Sequence, residues 1–448
     1  MRARRAALDA LRAVQHRDAY ANLLLPGLLR SRGLTGSDAA RATDLTYGTL
    51  RGLGTFDAIL AACADRPLDA IDPEVLDALR LGTYQLLGTR VPAHAAVSTT
   101  VDLVRSRRGA GAAGFANAVL RHVAETDLAG WTDRLAPAAA VDPVGHLAFA
   151  HQHPRWVAEA FAAALGEHRD RLAAVLAADN AAPAVTVAAL PQRSTVDELV
   201  ATGARPGRWA PTAARLGGGD PTSVPAIAQG RARVQDEGSQ LVTWLTAQAP
   251  ITGDEHRWLD MCAGPGGKTV LLAALARGRG VQLLAGELHA HRARLVARAV
   301  HDAGLHPGVA VVQADATRPP WHVAQFDRVL LDAPCTGLGA LRRRPEARWR
   351  RRPADLRTLL RLQRSLLRTA LDSVRPGGVV GYVTCSPHQD ETEGVLRTVL
   401  DERVDIEVLD VPALASHVPD AGRGRYLQLW PDLHGTDAMF LALLRPTG

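Results

Sequence analysis

From about residue 231 onward, short apolar runs of strand character alternate with amphipathic helical stretches. The runs fall at 258–261, 281–285, 309–312, 327–331 and 379–384, and helical periodicity occupies 270–276, 289–303 and 354–373 between them. Strands separated by helices of that length predict a parallel, doubly wound sheet. The ligands of such sheets lie beyond the carboxyl ends of the strands. Asp260, Glu287, Asp315, Asp332 and Cys385 each stand at or just past the end of a predicted strand, so five polar or reactive side chains are expected on one rim.

The first 125 residues carry no such strand signal. Leu8, Leu11 and Val14, and later Val75, Leu76, Leu79, Leu86 and Leu87, recur at helical spacing, with Gly33, Gly36, Pro67 and Pro92 as stops between them. This predicts a self-contained module of five to seven helices. Residues 126–180 stay helical, with His153-Pro154-Arg155-Trp156 opening one helix. Residues 183–230 read as a small α+β insert, with a strand at Ala184-Val185-Thr186-Val187 and a loop at Gly217-Gly218-Gly219-Asp220-Pro221. The expected organisation is therefore multidomain: an all-α domain over 1–125, a helical and small α+β connecting region over 126–230, and an α/β Rossmann-like domain over 231–448.

The four cysteines, Cys63, Cys262, Cys335 and Cys385, are far apart and form no CxxC pair. Neither metal-ligand spacing nor a disulfide framework is present, which favours a reducing cytoplasm and no metal. No run of ~18 apolar residues occurs, so no membrane partner is expected. Nothing calls for an obligate dimer, and a monomer is expected. The net charge of +6 suits a polyanionic partner, but the Ala- and Arg-rich composition of a GC-rich genome accounts for it equally well. Against that background Lys268 is the only lysine.

Lys268 closes the run Asp260-Met261-Cys262-Ala263-Gly264-Pro265-Gly266-Gly267-Lys268-Thr269. Glycines after a first strand let backbone approach a ligand closely. A phosphate-binding loop would need glycine where Cys262 stands. Glu287 follows at the end of the second strand, where an acid holds the ribose hydroxyls of an adenosine cofactor; a solvated acid after a strand is the lesser alternative when it is taken alone. The dinucleotide pattern G-x-G-x-x-G is absent. Ribose recognition without a pyrophosphate cradle points to S-adenosylmethionine rather than NAD.

Two further motifs, Asp332-Ala333-Pro334-Cys335-Thr336-Gly337 and Tyr382-Val383-Thr384-Cys385-Ser386-Pro387, set cysteines at strand ends over the same cleft. A lone cysteine is usually a small buried hydrophobe, and Cys63 reads that way. Two over one cleft fit nucleophilic chemistry. Carbon 5 of cytosine is too weak a nucleophile to take a methyl group until a thiolate adds at carbon 6 and makes the ring an enamine. Asp332 is placed to hydrogen-bond the protonated ring nitrogen. Methylation of an exocyclic nitrogen needs no cysteine. Beside Cys335, Arg342-Arg343-Arg344-Pro345-Glu346-Ala347-Arg348-Trp349-Arg350-Arg351-Arg352 packs seven arginines around one tryptophan. Arg342, Arg343, Arg344 and Arg348 are expected to grip RNA phosphates and Trp349 to stack on an unpaired base; a solvated arginine-rich loop is the plainer reading.

At these motifs the chain resembles the Sun/Fmu (RsmB) group of bacterial 16S ribosomal RNA 5-methylcytosine methyltransferases, over nearly its whole length. Cys262 to Thr269 resembles the family's cofactor loop, and Asp332-Ala333-Pro334-Cys335 and Thr384-Cys385-Ser386 its two cysteine motifs. Val234-Gln235-Asp236-Glu237-Gly238-Ser239-Gln240 resembles the opening of its catalytic domain. Gly114-Phe115-Ala116-Asn117-Ala118-Val119-Leu120-Arg121 resembles its NusB-like RNA-binding domain. The resemblance implies a class I methyltransferase domain using S-adenosyl-L-methionine and ribosomal RNA as partner. It implies Cys385 as the nucleophile and Cys335 as the group assisting product release. Which cysteine attacks rests on the resemblance, since DNA cytosine methyltransferases use the Pro-Cys cysteine. Cys262, Ala263, Gly264, Pro265, Gly266, Gly267, Lys268, Glu287, Asp315 and Asp332 would line the cofactor site. Gly264 departs from the family's usual Ala, and Asp390-Glu391-Thr392-Glu393 stands where many members carry Glu-Asn, so those acids receive no role. Two rivals remain: a nucleotide-dependent RNA remodeller built on Lys268, and a non-catalytic RNA-binding or antitermination factor.

Overall fold

A computed structural model describes residues 1–17 and 19–447. They divide into two compact units, one formed by 1–181 with 341–352 and the other by 182–340 with 353–448. The chain therefore visits the first unit twice.

The first unit is helical, with helices Arg2–His16, Ala21–Ser31, Gly36–Cys63, Pro73–Gly88, Ala93–Val123, Leu128–Leu135, Pro143–Ala150, Arg155–Leu165 and Leu172–Asn180. Asp72 shows why one of them starts where it does. Its carboxylate accepts the Glu74 and Val75 amides at 2.9 and 3.3 Å, and Pro73 brings the helical φ. The apolar stripes foreseen in the sequence converge, so that Leu8, Leu11, Leu50, Ile59, Leu79 and Leu120 share one core. Full burial of each such side chain stabilises the fold by about 1.5–3 kcal/mol.

The second unit holds two sheets. The smaller, from the insert, consists of β1 (Thr186–Ala189), β2 (Arg205–Pro206), β3 (Ala213–Arg215) and β4 (Ala232–Val234), all antiparallel. The larger has nine strands: β5 (Arg257–Asp260), β6 (Gln282–Glu287), β7 (Val309–Gln313), β8 (Phe326–Asp332), β9 (Val374–Thr384), β10 (Ile406–Val408), β11 (Gly422–Arg423), β12 (Tyr426–Gln428) and β13 (Phe440–Pro446). Its order is β11-β12-β13-β9-β8-β5-β6-β7, with β10 also on β13. The predicted parallel sheet is thus five strands, β7-β6-β5-β8-β9, and the rest is antiparallel. The last strand expected from the sequence ends at residue 384. Beyond it the link from β12 to β13 through the turn Pro431–His434 is too short for a parallel crossover, so β13 returns antiparallel.

The amino-terminal rim of the parallel strands is tied by charge. Arg328 donates to Glu255 at 2.7 and 2.9 Å, and Asp327 accepts the His256 and Arg257 amides and the Arg375 guanidinium at 2.6–2.7 Å. That clamp leaves the carboxyl rim for chemistry. Among the described residues no helix is long and apolar enough to cross a membrane, and no group of three or more His, Cys, Asp or Glu is placed to hold a metal ion.

Candidate active site

The chain turns out of β5 at Asp260 and enters helix Gly267–Arg277 through a tight loop. Gly266 caps that helix at φ +103°, a conformation that favours glycine. Glu287, at the end of β6 and nearly buried, faces the loop. Its Oε2 accepts the Gly264 amide at 3.0 Å, and its Oε1 accepts the His289 amide at 3.0 Å. Arg292 completes the clasp, donating to the Gly264 carbonyl at 2.5 Å and lying 3.6 Å from Glu287. A Cβ on Gly264 would stand 2.2 Å from Glu287 Oε2. The departure from alanine is therefore accommodated by the close approach of that carboxylate. A bare backbone cradle with an acid at its edge fits an adenosine-bearing cofactor.

At the floor of the loop Thr269 donates to Asp260 Oδ2 at 2.6 Å. Burial pushes the Asp260 carboxyl up to about 7, against the Thr269 hydrogen bond and with the help of the Asp332 charge. Burial likewise lifts the Cys262 thiol, so that it is a neutral lining group. Lys268 reaches Asp332 at 2.7 Å. Burial opposes its charge, but Asp332 outweighs it, with smaller contributions from Cys385 and Asp260, and holds the ammonium above the ordinary lysine value.

The two cysteine motifs meet because β8 and β9 lie side by side in parallel, with Asp332 paired to Val383. Each strand runs into a loop bearing one cysteine, and the sulfurs of Cys335 and Cys385 are 3.5 Å apart. The hydrogen bond to Cys385, then burial, then the charges of Cys385, Glu391 and Asp332 raise the Cys335 thiol well above its ordinary value.

What holds the loops in this register was not foreseen. Glu391, fully buried, accepts the Thr336 amide at 2.8 Å, the Thr336 hydroxyl at 2.5 Å and the Gln363 amide nitrogen at 3.0 Å. Gln363 also donates to the Pro334 carbonyl at 2.9 Å, and Thr336 Oγ1 lies 3.0 Å from Ser386 Oγ. One carboxylate from the acidic stretch thus binds Thr336 beside Cys335 directly and reaches Ser386 beside Cys385 through the Thr336 hydroxyl. The available signal was a glutamate six positions after Cys385, in the turn before helix Glu393–Leu400.

Asp315 is exposed at the end of β7, where its carboxylate accepts the Thr317 amide at 2.9 Å and hydroxyl at 2.7 Å. These hydrogen bonds hold its pKa below the ordinary aspartate value.

The arginine-tryptophan segment differs from expectation. It belongs to the helical unit, where Arg348 is fully buried and donates to the Gln152 carbonyl at 2.9 Å and to Asn180 Oδ1 at 2.8 Å. The Trp349 indole donates to the Arg51 carbonyl at 3.0 Å and lies over Gly54, where a Cβ would meet the ring at 2.1 Å. Arg350 donates to the Val14 and Ala19 carbonyls. Fully buried, with its two terminal nitrogens donating to acceptors at residues 152, 179 and 180, Arg348 cannot grip phosphate, and Trp349 spends its indole on packing rather than on a base. Arg342 is buried, Arg343 half-buried and Arg344 exposed.

Residues 247–445 match the family described as 16S rRNA methyltransferase RsmB/F, and residues 1–125 match the NusB family. The chain is 53% identical over 445 residues to a putative methyltransferase of Mycobacterium tuberculosis, covering 99% of this chain and 96% of that one. It is 31% identical over 453 residues to a probable ribosomal RNA small subunit methyltransferase B of Bacillus subtilis, covering 99% and 98%. With the ribosomal RNA small subunit methyltransferase B of Pseudomonas putida the figures are 32%, 99% and 98%. Among solved structures, the fold follows that of PH0851 over 99% of this chain and 98% of that one, with a TM-score of 0.81 at 23% identity. These full-length matches, with the paired cysteine loops and the glycine cradle, show that the chain belongs to the RsmB/F family of S-adenosylmethionine-dependent RNA methyltransferases and carries that family's NusB-like helical domain.

Proposed function

We propose that this enzyme methylates carbon 5 of a cytosine in 16S ribosomal RNA through a covalent bond between Cys385 and the base. The observation that carries the reading is the pair of thiols 3.5 Å apart at the ends of adjacent parallel strands, with the Lys268–Asp332 pair beside them. Methylation of an exocyclic nitrogen or a ribose hydroxyl has no use for two such groups.

Either sulfur of the 3.5 Å pair can donate to the other, and in this reading Cys335, whose thiol is raised by Cys385, burial and nearby carboxylates, keeps its proton and donates it toward Cys385. A thiolate accepting that bond within the field of the Lys268 ammonium is the better nucleophile of the two. Cys385 adds to carbon 6 of the cytosine, and the electron pair displaced toward carbon 5 makes that carbon nucleophilic. Asp332, restrained by Lys268, receives the hydrogen bond of the protonated ring nitrogen. S-adenosylmethionine supplies an electrophilic methyl group when bound. Cys262 to Lys268, Glu287, Asp315 and Asp332 would hold it, with Glu287 accepting from its ribose hydroxyls. Water then takes the carbon 5 proton, and the carbon 5–hydrogen electron pair forms the carbon 5–carbon 6 double bond. The carbon 6–sulfur pair leaves with Cys385 as a thiolate, and Cys335, 3.5 Å away, assists this release by hydrogen-bonding the departing sulfur.

Residues 1–125 contribute RNA binding, and the enzyme acts as a monomer in the cytoplasm, where a target base is splayed from unpaired RNA. The test is to incubate the protein with unmodified 16S RNA and methyl-labelled cofactor and to map the label by bisulfite sequencing and nucleoside mass spectrometry. Label in 5-methylcytidine supports the reading; label only in N4-methylcytidine or on ribose overturns it.

A further inference from the structure

The arginines expected to grip RNA are largely consumed inside the helical unit, yet the chain returns to the catalytic unit through another arginine-rich element. Helix Pro353–Ser373 carries Arg357, Arg361, Arg364 and Arg368 at spacings of four, three and four, which puts them on one stripe. Arg368 is committed to Glu402 through two hydrogen bonds of 2.7 Å. The other three are not. Among the described residues Arg357 and Arg361 are exposed and make no ion pair or hydrogen bond, and Arg364 has only the more distant charge of Glu402, with its Nε buried and without a partner. The three line a groove of about 400 Å³ with Ala354, Thr358 and Leu360.

The same helix reaches the reactive loops. Gln363, next to Arg364, is the residue that donates to the Pro334 carbonyl and to Glu391. A chain lying along the stripe is therefore held by the element that also fixes the Cys335 loop. From Arg357 to Arg364 the stripe rises about 10 Å, enough to meet successive phosphates of one strand. Guanidinium forks match phosphate oxygens bidentately, and a groove walled by arginine and threonine, without an acid on its lining, favours a polyanion over a protein partner.

We infer that the groove formed by Arg357, Arg361 and Arg364 is a binding site for the phosphodiester backbone of the substrate RNA, flanking the base that enters the cysteine site. This rests on the reading of RNA as the substrate. The contacts are to phosphate, so they add affinity on any sequence and are salt-sensitive.

The test uses the full chain and an unmodified 16S RNA transcript. Binding is followed by fluorescence anisotropy across a salt series for the wild type, Arg357→Gln/Arg361→Gln/Arg364→Gln and the control Arg368→Gln, with cofactor affinity measured on each. The triple variant should bind RNA at least tenfold more weakly at low salt. Its slope of log affinity against log salt should be smaller by about 2, as three lost single-strand phosphate contacts require. Cofactor affinity should be unchanged, and Arg368→Gln should stay within twofold of wild type. Unchanged RNA affinity and slope in a triple variant that still binds cofactor would overturn the proposal while leaving the methylation reading intact. If the triple variant loses cofactor binding, the single variants at the two exposed positions, Arg357→Gln and Arg361→Gln, decide by the same slope, each expected to lower it by about 0.7. A wild-type protein that neither binds nor methylates the RNA sinks both.

Discussion

Cys335 and Cys385 approach to 3.5 Å, sulfur to sulfur, across two strands that run in parallel. The pair is not symmetric. Cys335 is held well above the ordinary thiol range by its bond to Cys385, by burial and by nearby carboxylates, whereas Cys385 shares its field with the Lys268 ammonium. At pH 7.5 iodoacetamide should therefore alkylate Cys385 at least tenfold faster than Cys335, as read by peptide mass spectrometry. Lys268→Met, which removes the cation interacting with Cys385, should slow alkylation of Cys385 at that pH. Faster labelling of Cys335 would reverse the assignment of roles.

Glu391 joins the two loops, so its removal should loosen the site without touching cofactor or RNA. Glu391→Gln keeps the shape but replaces an acceptor oxygen with a donor, facing Thr336 and Gln363. A lost hydrogen bond to a charged group is worth about 1.5–3 kcal/mol. Single-turnover methyl transfer should fall by roughly 10- to 150-fold at that cost, with the dissociation constants of cofactor and RNA within twofold. Weakened cofactor binding with an unchanged transfer rate would show that Glu391 acts elsewhere.

Asp260 links stability to pH. Its carboxyl is raised from 3.8 to about 7 by burial, so between those values the unfolded chain binds fewer protons than the folded one. Its contribution is fully present below about pH 3.8 and is lost as pH rises through about 7, at up to ~1.4 kcal/mol per pH unit. Asp260→Asn cannot ionise. In urea unfolding, the stability of wild type relative to this variant should fall from pH 5 to pH 8. Parallel curves would contradict the buried neutral carboxyl.

Arg348 should behave as a structural bolt. Arg348→Ala leaves the Gln152 carbonyl and Asn180 Oδ1 without their donor in a buried setting, a loss of about 2–4 kcal/mol. The exposed Arg344→Ala should change stability by less than ~0.5 kcal/mol. Thermal unfolding of the two variants decides, and equal melting temperatures would place Arg348 outside the core.

The rim of the parallel strands was legible because strand-helix alternation has a direction: each strand ends where its loop begins, and Asp260, Glu287, Asp332 and Cys385 could be counted onto that edge. The antiparallel flank was not, because β10 to β12 are short and carry no strong period. Arg348 and Trp349 misled for a different reason. Sequence displays a side chain's charge or ring but not its acceptors, and here those are the Gln152 carbonyl and Asn180 side-chain amide for Arg348 and the Arg51 carbonyl for Trp349. Glu391 hid among four neighbouring polar residues, of which it alone is drawn between the cysteine loops.

The covalent role of Cys385 is tested most directly by trapping. Wild type, Cys335→Ala and Cys385→Ala are each incubated with 16S RNA and S-adenosylmethionine, denatured and resolved on a gel. The account predicts a denaturation-resistant protein–RNA adduct that accumulates with Cys335→Ala, and neither adduct nor methylated RNA with Cys385→Ala. Methylation that survives Cys385→Ala would contradict it.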